Sequence, residues 1–140
     1  MSQAVMTDVE LRGFLSQPLI ADIVTLKKDG SSQVTPVWYD FDGTYLYFST
    51  TTDRAKARNI KRDNRIAVSI RNEDAHKVVL FAGTANILDD RGHVLARRIV
   101  TRYMAPDKVD GFLSGLEANR VIVRVKPIRT ISWDFTKSGN

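Results

Sequence analysis

The sequence contains no cysteine, which excludes disulfide bonds, thiolate-bound metals and a cysteine nucleophile. It also lacks any apolar run near the roughly 18–20 residues that a membrane-spanning helix needs. Residues 1–8 show neither the basic nor the apolar region of a signal peptide, which favours a cytoplasmic location. No G-x-G-x-x-G segment and no Walker loop are present, so the common dinucleotide- and nucleotide-binding folds are not expected.

Histidine is scarce as well. The chain has two, His76 and His93, which stand 17 positions apart. A zinc ligand set or a catalytic triad is therefore not expected, and no G-x-S-x-G nucleophile elbow is present. The adjacent carboxylates Asp89 and Asp90 are more typical of a helix cap than of an acid–base pair. We predict no metal site and name no catalytic side chain.

The residues that are present have the composition of a folded protein. The chain has 140 residues, of which 43% are hydrophobic and 26% are charged. This length is enough for one domain with its own core, and no linker or internal repeat divides it. We predict a single domain over residues 1–140.

Positive charge is concentrated in one segment. Lysine and arginine exceed aspartate and glutamate by 21 to 16, a net charge of +5. Arg54 to Arg65 holds six positive residues and one negative residue, which accounts for the whole excess. Such a segment indicates a binding site for an anion, although a helix face exposed to solvent would have the same composition.

Hydrophobic periodicity and turn residues divide the chain into four helices and seven strand-like runs. The predicted helices are Asp8–Gln17, Arg54–Arg62, about Asp89 to Met104, and Asp107–Leu116. The predicted strands are Ile20–Lys27, Gln33–Phe41, Tyr45–Thr50, Ile66–Arg71, Lys77–Leu88, Arg120–Lys126 and Ile128–Phe135.

Local signals refine these elements. Thr7 and Glu10 form a capping-box pattern at the start of the first helix, and Asp53 is expected to cap the second. Pro36 within a strand indicates an edge or a bulge, and Gly83 predicts a bulge or a close backbone approach. Strands joined by short turns, with few helices between them, favour an antiparallel sheet over a parallel α/β fold. We predict a mainly β, six-stranded antiparallel barrel with peripheral helices, although seven strands are also compatible with the pattern.

An ordered set of short motifs resembles the pyridoxamine 5′-phosphate oxidase-like proteins, and in particular their deazaflavin-dependent branch. The set is Asp29-Gly30-Ser31, Val34 to Trp38, Asp42-Gly43, Ser49-Thr50, Arg54 to Asn59, Arg62 to Arg65, Val121 to Val125, Pro127 and Trp133-Asp134. The likeness covers nearly the whole chain, and residues 89–119 are its least diagnostic part. Asp63-Asn64-Arg65 departs from the branch's Asp-Pro-Arg, a change that the turn tolerates.

This resemblance implies a split β-barrel that binds a flavin or deazaflavin at the interface of a homodimer. The hydroxyls of Ser49 and Thr50, followed by the start of a basic helix, suit a phosphate group. The implied cofactor-binding residues are Thr35, Pro36, Val37, Trp38, Ser49, Thr50, Arg54, Ala55, Lys56, Arg58, Asn59, Val78 and Trp133. Of these, Val78 is expected to come from the partner subunit.

The implied function is that of an oxidoreductase, in which the cofactor rather than a side chain carries the hydride. Coenzyme F420 is favoured because its acidic tail would suit the extended basic segment, and a small conjugated molecule is the expected substrate. The alternatives are an FMN-dependent oxidase or reductase and a non-enzymatic binder of flavin, haem or tetrapyrrole. Nucleic-acid binding is not expected, because Arg54 to Arg65 contains no aromatic residue.

Overall fold

The computed structural model describes residues 5–137, which form seven strands and four helices. The strands are β1 (Ala21–Leu26), β2 (Ser32–Val37), β3 (Asp40–Phe41), β4 (Leu46–Thr51), β5 (Arg65–Asn72), β6 (Lys77–Leu88) and β7 (Arg120–Asp134). The helices are α1 (Asp8–Leu15), α2 (Ala55–Arg62), α3 (Val94–Val100) and α4 (Pro106–Ser114). Within this part of the chain, no helix is long and apolar enough to cross a membrane.

All seven strands belong to one antiparallel sheet in the order β2-β1-β5-β6-β7-β4-β3. The sheet curls into a half-barrel with the helices at its periphery, as the sequence predicts. The strand β7 lies between β6 and β4 and therefore joins the two halves of the sheet. The strand count is seven rather than six, because the predicted strand Gln33–Phe41 is interrupted at Trp38 and Tyr39 and forms β2 and β3.

Alternation along the strands produces two apolar clusters on opposite faces of the sheet. In β4, Leu46 and Phe48 belong to the main core inside the half-barrel. Tyr47, between them, belongs to a second cluster with Ile122 of β7 and with apolar residues of α3 and α4. The helices α3 and α4 therefore cover the outer face of β4 and β7.

Two predicted boundaries are wrong for identifiable reasons. The runs Arg120–Lys126 and Ile128–Phe135 form one strand, because a register shift opposite Gly83 accommodates Pro127 within β7. The predicted bulge at Gly83 is thereby confirmed. The predicted helix from Asp89 to Met104 is shortened to α3, because Gly92 (φ 77°) and His93 (φ 56°) have left-handed backbone conformations.

Two carboxylates behave as helix-capping groups. The capping box at α1 is confirmed, since the Thr7 amide donates to Glu10 Oε1 and the Glu10 amide donates to Thr7 Oγ1. Glu10 also pairs with Lys137, and this hydrogen bond is the largest cause that lowers the pKa of Glu10 to about 2. The buried Asp90 accepts hydrogen bonds from the amides of Leu95 and Ala96, which belong to the first turn of α3.

Asp90→Ala is expected to lower the free energy of unfolding by about 1–2 kcal/mol. The change removes the acceptor of both amide hydrogen bonds, each 2.9 Å long, at the start of α3. Urea denaturation measures the effect. Asp89→Ala is the matched control because Asp89 is exposed, and equal losses for the two variants would contradict the capping role of Asp90.

Candidate functional site

A pocket of about 190 Å³ lies where the end of β2 and the strand β4 meet α2, α3 and α4. Its polar lining comes from Ser49, Lys56 and Arg120. Its apolar lining consists of Pro36, Val37, Trp38, Ala96, Ile99, Val100, Phe112 and Leu116. The pocket thus combines a wall of rings and aliphatic groups with a cationic end.

Trp38 is held in the pocket wall by its neighbours. Its ring stacks on Tyr103 with centroids 4.8 Å apart and planes 3° from parallel, and Phe112 tilts against it at 6.0 Å. The hydroxyl of Tyr103 donates to the carbonyl of Leu19 and accepts from the amide of Tyr39. These contacts fix the connection between β2 and β3, and with it the indole that lines the pocket.

Ser49 and Thr50 are adjacent in β4, so their side chains point to opposite faces of the sheet. Ser49 lines the pocket, and Thr50, which is only 2% exposed, points toward the half-barrel. Both hydroxyl oxygens are buried and have no hydrogen-bond partner in the part of the chain that the structure describes. A buried hydroxyl without a partner is costly, and a ligand oxygen could satisfy that of Ser49.

Lys56 lies in the first turn of α2 and is 8% exposed. Its ammonium group makes no ion pair or hydrogen bond with any of residues 5–137. Burial lowers the pKa of Lys56, and the charges of Arg54 and Arg120 lower it further. An anion in the pocket would oppose both effects, because it would compensate the buried charge.

Asp53 does not cap α2, contrary to the prediction. The helix begins at Ala55, so Arg54 occupies the capping position, and no side chain caps the helix. The Asp53 carboxylate instead accepts hydrogen bonds from Thr51 Oγ1 at 2.6 Å and from Asn119 Nδ2 at 3.1 Å. The positive end of the α2 dipole is therefore not neutralised by a capping carboxylate.

The structure brings five of the predicted site residues into this one pocket: Pro36, Val37, Trp38, Ser49 and Lys56. Thr35 precedes them in β2, opposite Ile23. Near Lys56 in sequence, Arg54 is the capping residue of α2, and Ala55 and Arg58 lie on the helix. The Arg58 guanidinium donates to the carbonyl of Asp53.

Three other predicted residues lie apart from the pocket within one chain. Asn59 is buried and donates to Thr25 and Gln33, which makes it a bridge between α2 and the sheet. Val78 and Trp133 pair with each other across β6 and β7. They lie near the far end of β7 from Arg120, and neither lines the pocket.

Sequence reasoning missed Arg120 and the wall that α3 and α4 contribute. Arg120 is the first residue of β7 and pairs with Thr51 of β4, which places its side chain beside Ser49 and Lys56. The pattern Glu117-x-x-Arg120 before a strand is a weak signal for this position. The register that places Arg120 at the pocket could not be read from that pattern.

A second apolar surface lies on the outer face of β1, β5, β6 and β7. A shallow groove of about 320 Å³ there is lined by Val24, Ala67, Leu80 and Ile131, among others. Ile131 is 41% exposed, and the nearby strand residues Ile128 and Val34 are 66% and 61% exposed. An exposed apolar surface of this kind is typical of a protein interface.

The sequence and the fold match a known family. The model of the pyridoxamine 5′-phosphate oxidase family matches residues 7–134, and the chain therefore belongs to that family. Its fold and its motifs are those that the resemblance implies.

Solved structures give particular relatives. The conserved hypothetical protein Rv2991 from Mycobacterium tuberculosis is 27% identical with a TM-score of 0.88, over 100% of this chain and 92% of that one. An F420 reductase is 29% identical with a TM-score of 0.73, over 86% of this chain and 94% of that one. An FMN-binding, pyridoxamine 5′-phosphate oxidase-related protein from Nostoc punctiforme shares the fold at 14% identity and a TM-score of 0.64, over 85% of this chain and 75% of that one.

Proposed function

We propose that the protein is an oxidoreductase that uses coenzyme F420 to reduce a small conjugated substrate. The observation that carries this proposal is the pocket that the buried Lys56, which has no ion-pair partner among residues 5–137, lines together with Ser49 and Trp38. An apolar wall with one cationic end suits a planar ring that bears a phosphate. The 29% identity to an F420 reductase supports the same class of cofactor.

The chain's own residues fit such a cofactor. Lys56 would bind the phosphate. Ser49, whose hydroxyl has no partner in residues 5–137, would donate a hydrogen bond to it. Arg54, whose charge acts on Lys56, would strengthen the local positive potential. Thr50, Ala55, Arg58 and Asn59 would support this segment rather than contact the phosphate, since none of them lines the pocket.

The segment from Thr35 to Trp38 would orient the ring. Pro36 has no amide hydrogen, and Trp38 is fixed by its stack on Tyr103. Ile99 and Phe112 would exclude water from the ring on the side of α3 and α4. When bound, the reduced deazaflavin supplies the hydride, and the protein supplies position and a dry environment.

FMN is the alternative cofactor. The basic segment Arg54 to Arg65 gives only weak support for coenzyme F420 over FMN, because several of its side chains are already bound within the protein. Arg65 is paired with Asp63 at 2.7 Å. Arg62 donates to the carbonyl of Leu26 and to Asn59. Arg58 donates to the carbonyl of Asp53, so Lys61 remains as the main candidate for an acidic tail. The preference for coenzyme F420 therefore rests chiefly on the F420 reductase relative.

We also propose that the protein works as a homodimer in the cytoplasm, with one split-barrel domain over residues 1–140. The exposed apolar face around Leu80 and Ile131 would be the contact between the subunits. A second subunit is also the way in which Val78 and Trp133 could approach a cofactor. A haem or tetrapyrrole binder is less well supported, because none of the residues that line the pocket is a histidine, cysteine or methionine.

Lys56→Ala is expected to weaken binding of both coenzyme F420 and FMN by about 30-fold, because a charge-assisted hydrogen bond to the phosphate is lost. Fluorescence titration of the purified protein with each cofactor measures this effect. Lys61→Ala is the matched control in the FMN titration, since Lys61 is an exposed lysine on the same helix and FMN has no acidic tail for it to bind.

The relative affinities of the wild-type protein decide the cofactor. Tighter binding of coenzyme F420 supports the reductase, and tighter binding of FMN transfers the proposal to the FMN-dependent alternative. Equal losses of FMN affinity in Lys56→Ala and Lys61→Ala would contradict the placement of the phosphate at Lys56.

A further inference from the structure

Arg120 stands at the polar end of the pocket with part of its donor capacity unused. Its side chain is 19% exposed and lines the pocket beside Ser49 and Lys56. The Nε atom is buried and has no hydrogen-bond partner among residues 5–137. A buried guanidinium donor without an acceptor indicates that the side chain is suited to a further ligand.

Glu117 uses the neighbouring donor of the same guanidinium. Arg120 Nη2 donates to Glu117 Oε1 at 2.9 Å, and the Glu117 side chain is 50% exposed. The hydrogen bond to Arg120 is the largest cause that lowers the pKa of Glu117. Nε and one terminal nitrogen form the edge with which arginine binds an oxyanion through two parallel hydrogen bonds. Here one half of that edge binds a solvent-exposed carboxylate, and the other half has no partner among residues 5–137.

The other charges around this edge favour an incoming anion. Lys56 and Arg54 are the neighbouring cations, and Lys56 has no counter-ion among the described residues. Asp53, the acid beside Arg54, already accepts hydrogen bonds from Thr51 and Asn119. The two cations that line the pocket, Lys56 and Arg120, are thus opposed by the exposed carboxylate of Glu117, which accepts from Arg120.

We propose that Arg120 is a second anion-binding residue of the pocket and that Glu117 occupies it until the ligand's oxyanion displaces the Glu117 carboxylate. An oxyanion held between Lys56 and the two-nitrogen edge of Arg120 would replace an exposed ion pair with a buried one. The ligand's oxyanion is the phosphate of the cofactor or a carboxylate of the substrate. In the first case the inference rests on the proposed function, since the cofactor is then the source of the charge.

Two variants test this assignment. Arg120→Lys keeps the charge and removes the two-nitrogen edge, whereas Glu117→Gln keeps the shape and removes the competing charge. FMN and riboflavin differ only in the phosphate, so their titrations isolate its contribution. Arg120→Lys is expected to weaken the binding of FMN about 10-fold and to leave the affinity for riboflavin within about 2-fold of the wild type. Glu117→Gln is expected to tighten FMN by about 2- to 5-fold, the range of an exposed ion pair.

The sources of the anion separate in the same experiment. Suppose that Arg120→Lys changes the affinities for FMN and riboflavin equally and that benzoate competes with the flavin less well in this variant. Arg120 then binds a carboxylate. If neither FMN nor benzoate responds to Arg120→Lys, the inference is overturned. Unfolding midpoints of the two variants without ligand, measured beside the wild type, show whether either change acts through the fold.

Failure of the proposed function is distinguishable from failure of this inference. If the wild-type protein does not bind FMN, whether or not it binds coenzyme F420, inorganic phosphate serves as the probe. The inference holds when phosphate raises the unfolding midpoint of the wild type, raises that of Glu117→Gln further, and does not raise that of Arg120→Lys. An equal rise in all three proteins, or none in any of them, overturns it.

Discussion

Gly83→Ala is expected to lower the free energy of unfolding by about 3 kcal/mol. A Cβ atom built on Gly83 would lie 1.9 Å from the carbonyl oxygen of Lys126 and 3.2 Å from the amide nitrogen of Ile128. Both atoms belong to the backbone of β7, which cannot move aside without breaking its pairing with β6 and β4. Even the smallest side chain therefore forces the strands apart at the bulge.

Urea unfolding followed by circular dichroism measures the loss. Gly13→Ala is the matched control, because Gly13 is exposed within α1 and a Cβ there meets no atom within 4 Å. Alanine in a helix interior is more favourable than glycine by about 0.5–1 kcal/mol, so this control should gain stability. A Gly83→Ala protein as stable as the wild type would show that the bulge relaxes at little cost.

Arg102→Met is expected to lower the free energy of unfolding by about 3 kcal/mol. The guanidinium donates to the carbonyls of Leu15 and Gln17 at 3.0 and 2.9 Å and to Asp40 at 3.4 Å. It also lies 4.8 Å above the ring of Tyr39, whose pKa is raised, mainly by burial. Methionine would retain part of the apolar packing and remove every one of these charge-assisted contacts.

Arg98→Met provides the comparison. Arg98 pairs with the same carboxylate, Asp40, at 2.7 Å, but its side chain is 46% exposed against 15% for Arg102. An exposed pair of this kind contributes about 1 kcal/mol or less. Differential scanning calorimetry of the two variants gives the difference. Similar losses would mean that the contacts of Arg102 with the end of α1 contribute little.

The Arg102 variant should also alter the pocket. Tyr103 follows Arg102 in the chain and stacks on Trp38, which lines the pocket. Loss of the Arg102 contacts is therefore expected to change tryptophan emission even where the protein remains folded. Arg98→Met should leave the emission unchanged.

Much of the fold could be predicted because its signals are local. A run rich in β-branched and other apolar residues predicts a strand over Lys77–Leu88, which is also the observed range of β6. The capping box of Thr7 and Glu10 and the bulge at Gly83 depend on residues whose geometry admits few alternatives. The late start of the helix predicted from Asp89 depends instead on the left-handed conformations of Gly92 and His93, which are uncommon for a residue other than glycine and which no local pattern indicates.

The candidate site could be predicted only in part, for a related reason. Pro36, Trp38, Ser49 and Lys56 stand in short motifs that a family resemblance carries, and the structure places them around one pocket. That they bind a cofactor stays a prediction. Arg120 and Phe112 reach the same pocket through strand register and helix packing, which no local motif encodes.

The central position of β7 in the sheet has a consequence for synthesis. While a ribosome adds residues in order, β1, β2, β5 and β6 can pair with one another, and β3 can pair with β4. Only β7, the last strand in chain order, connects these two groups, and it also carries Ser132, which accepts from the amide of Met6. The nascent chain must therefore expose two incomplete sheet edges until residues 120–134 emerge, which makes this interval the one in which a chaperone would be most needed.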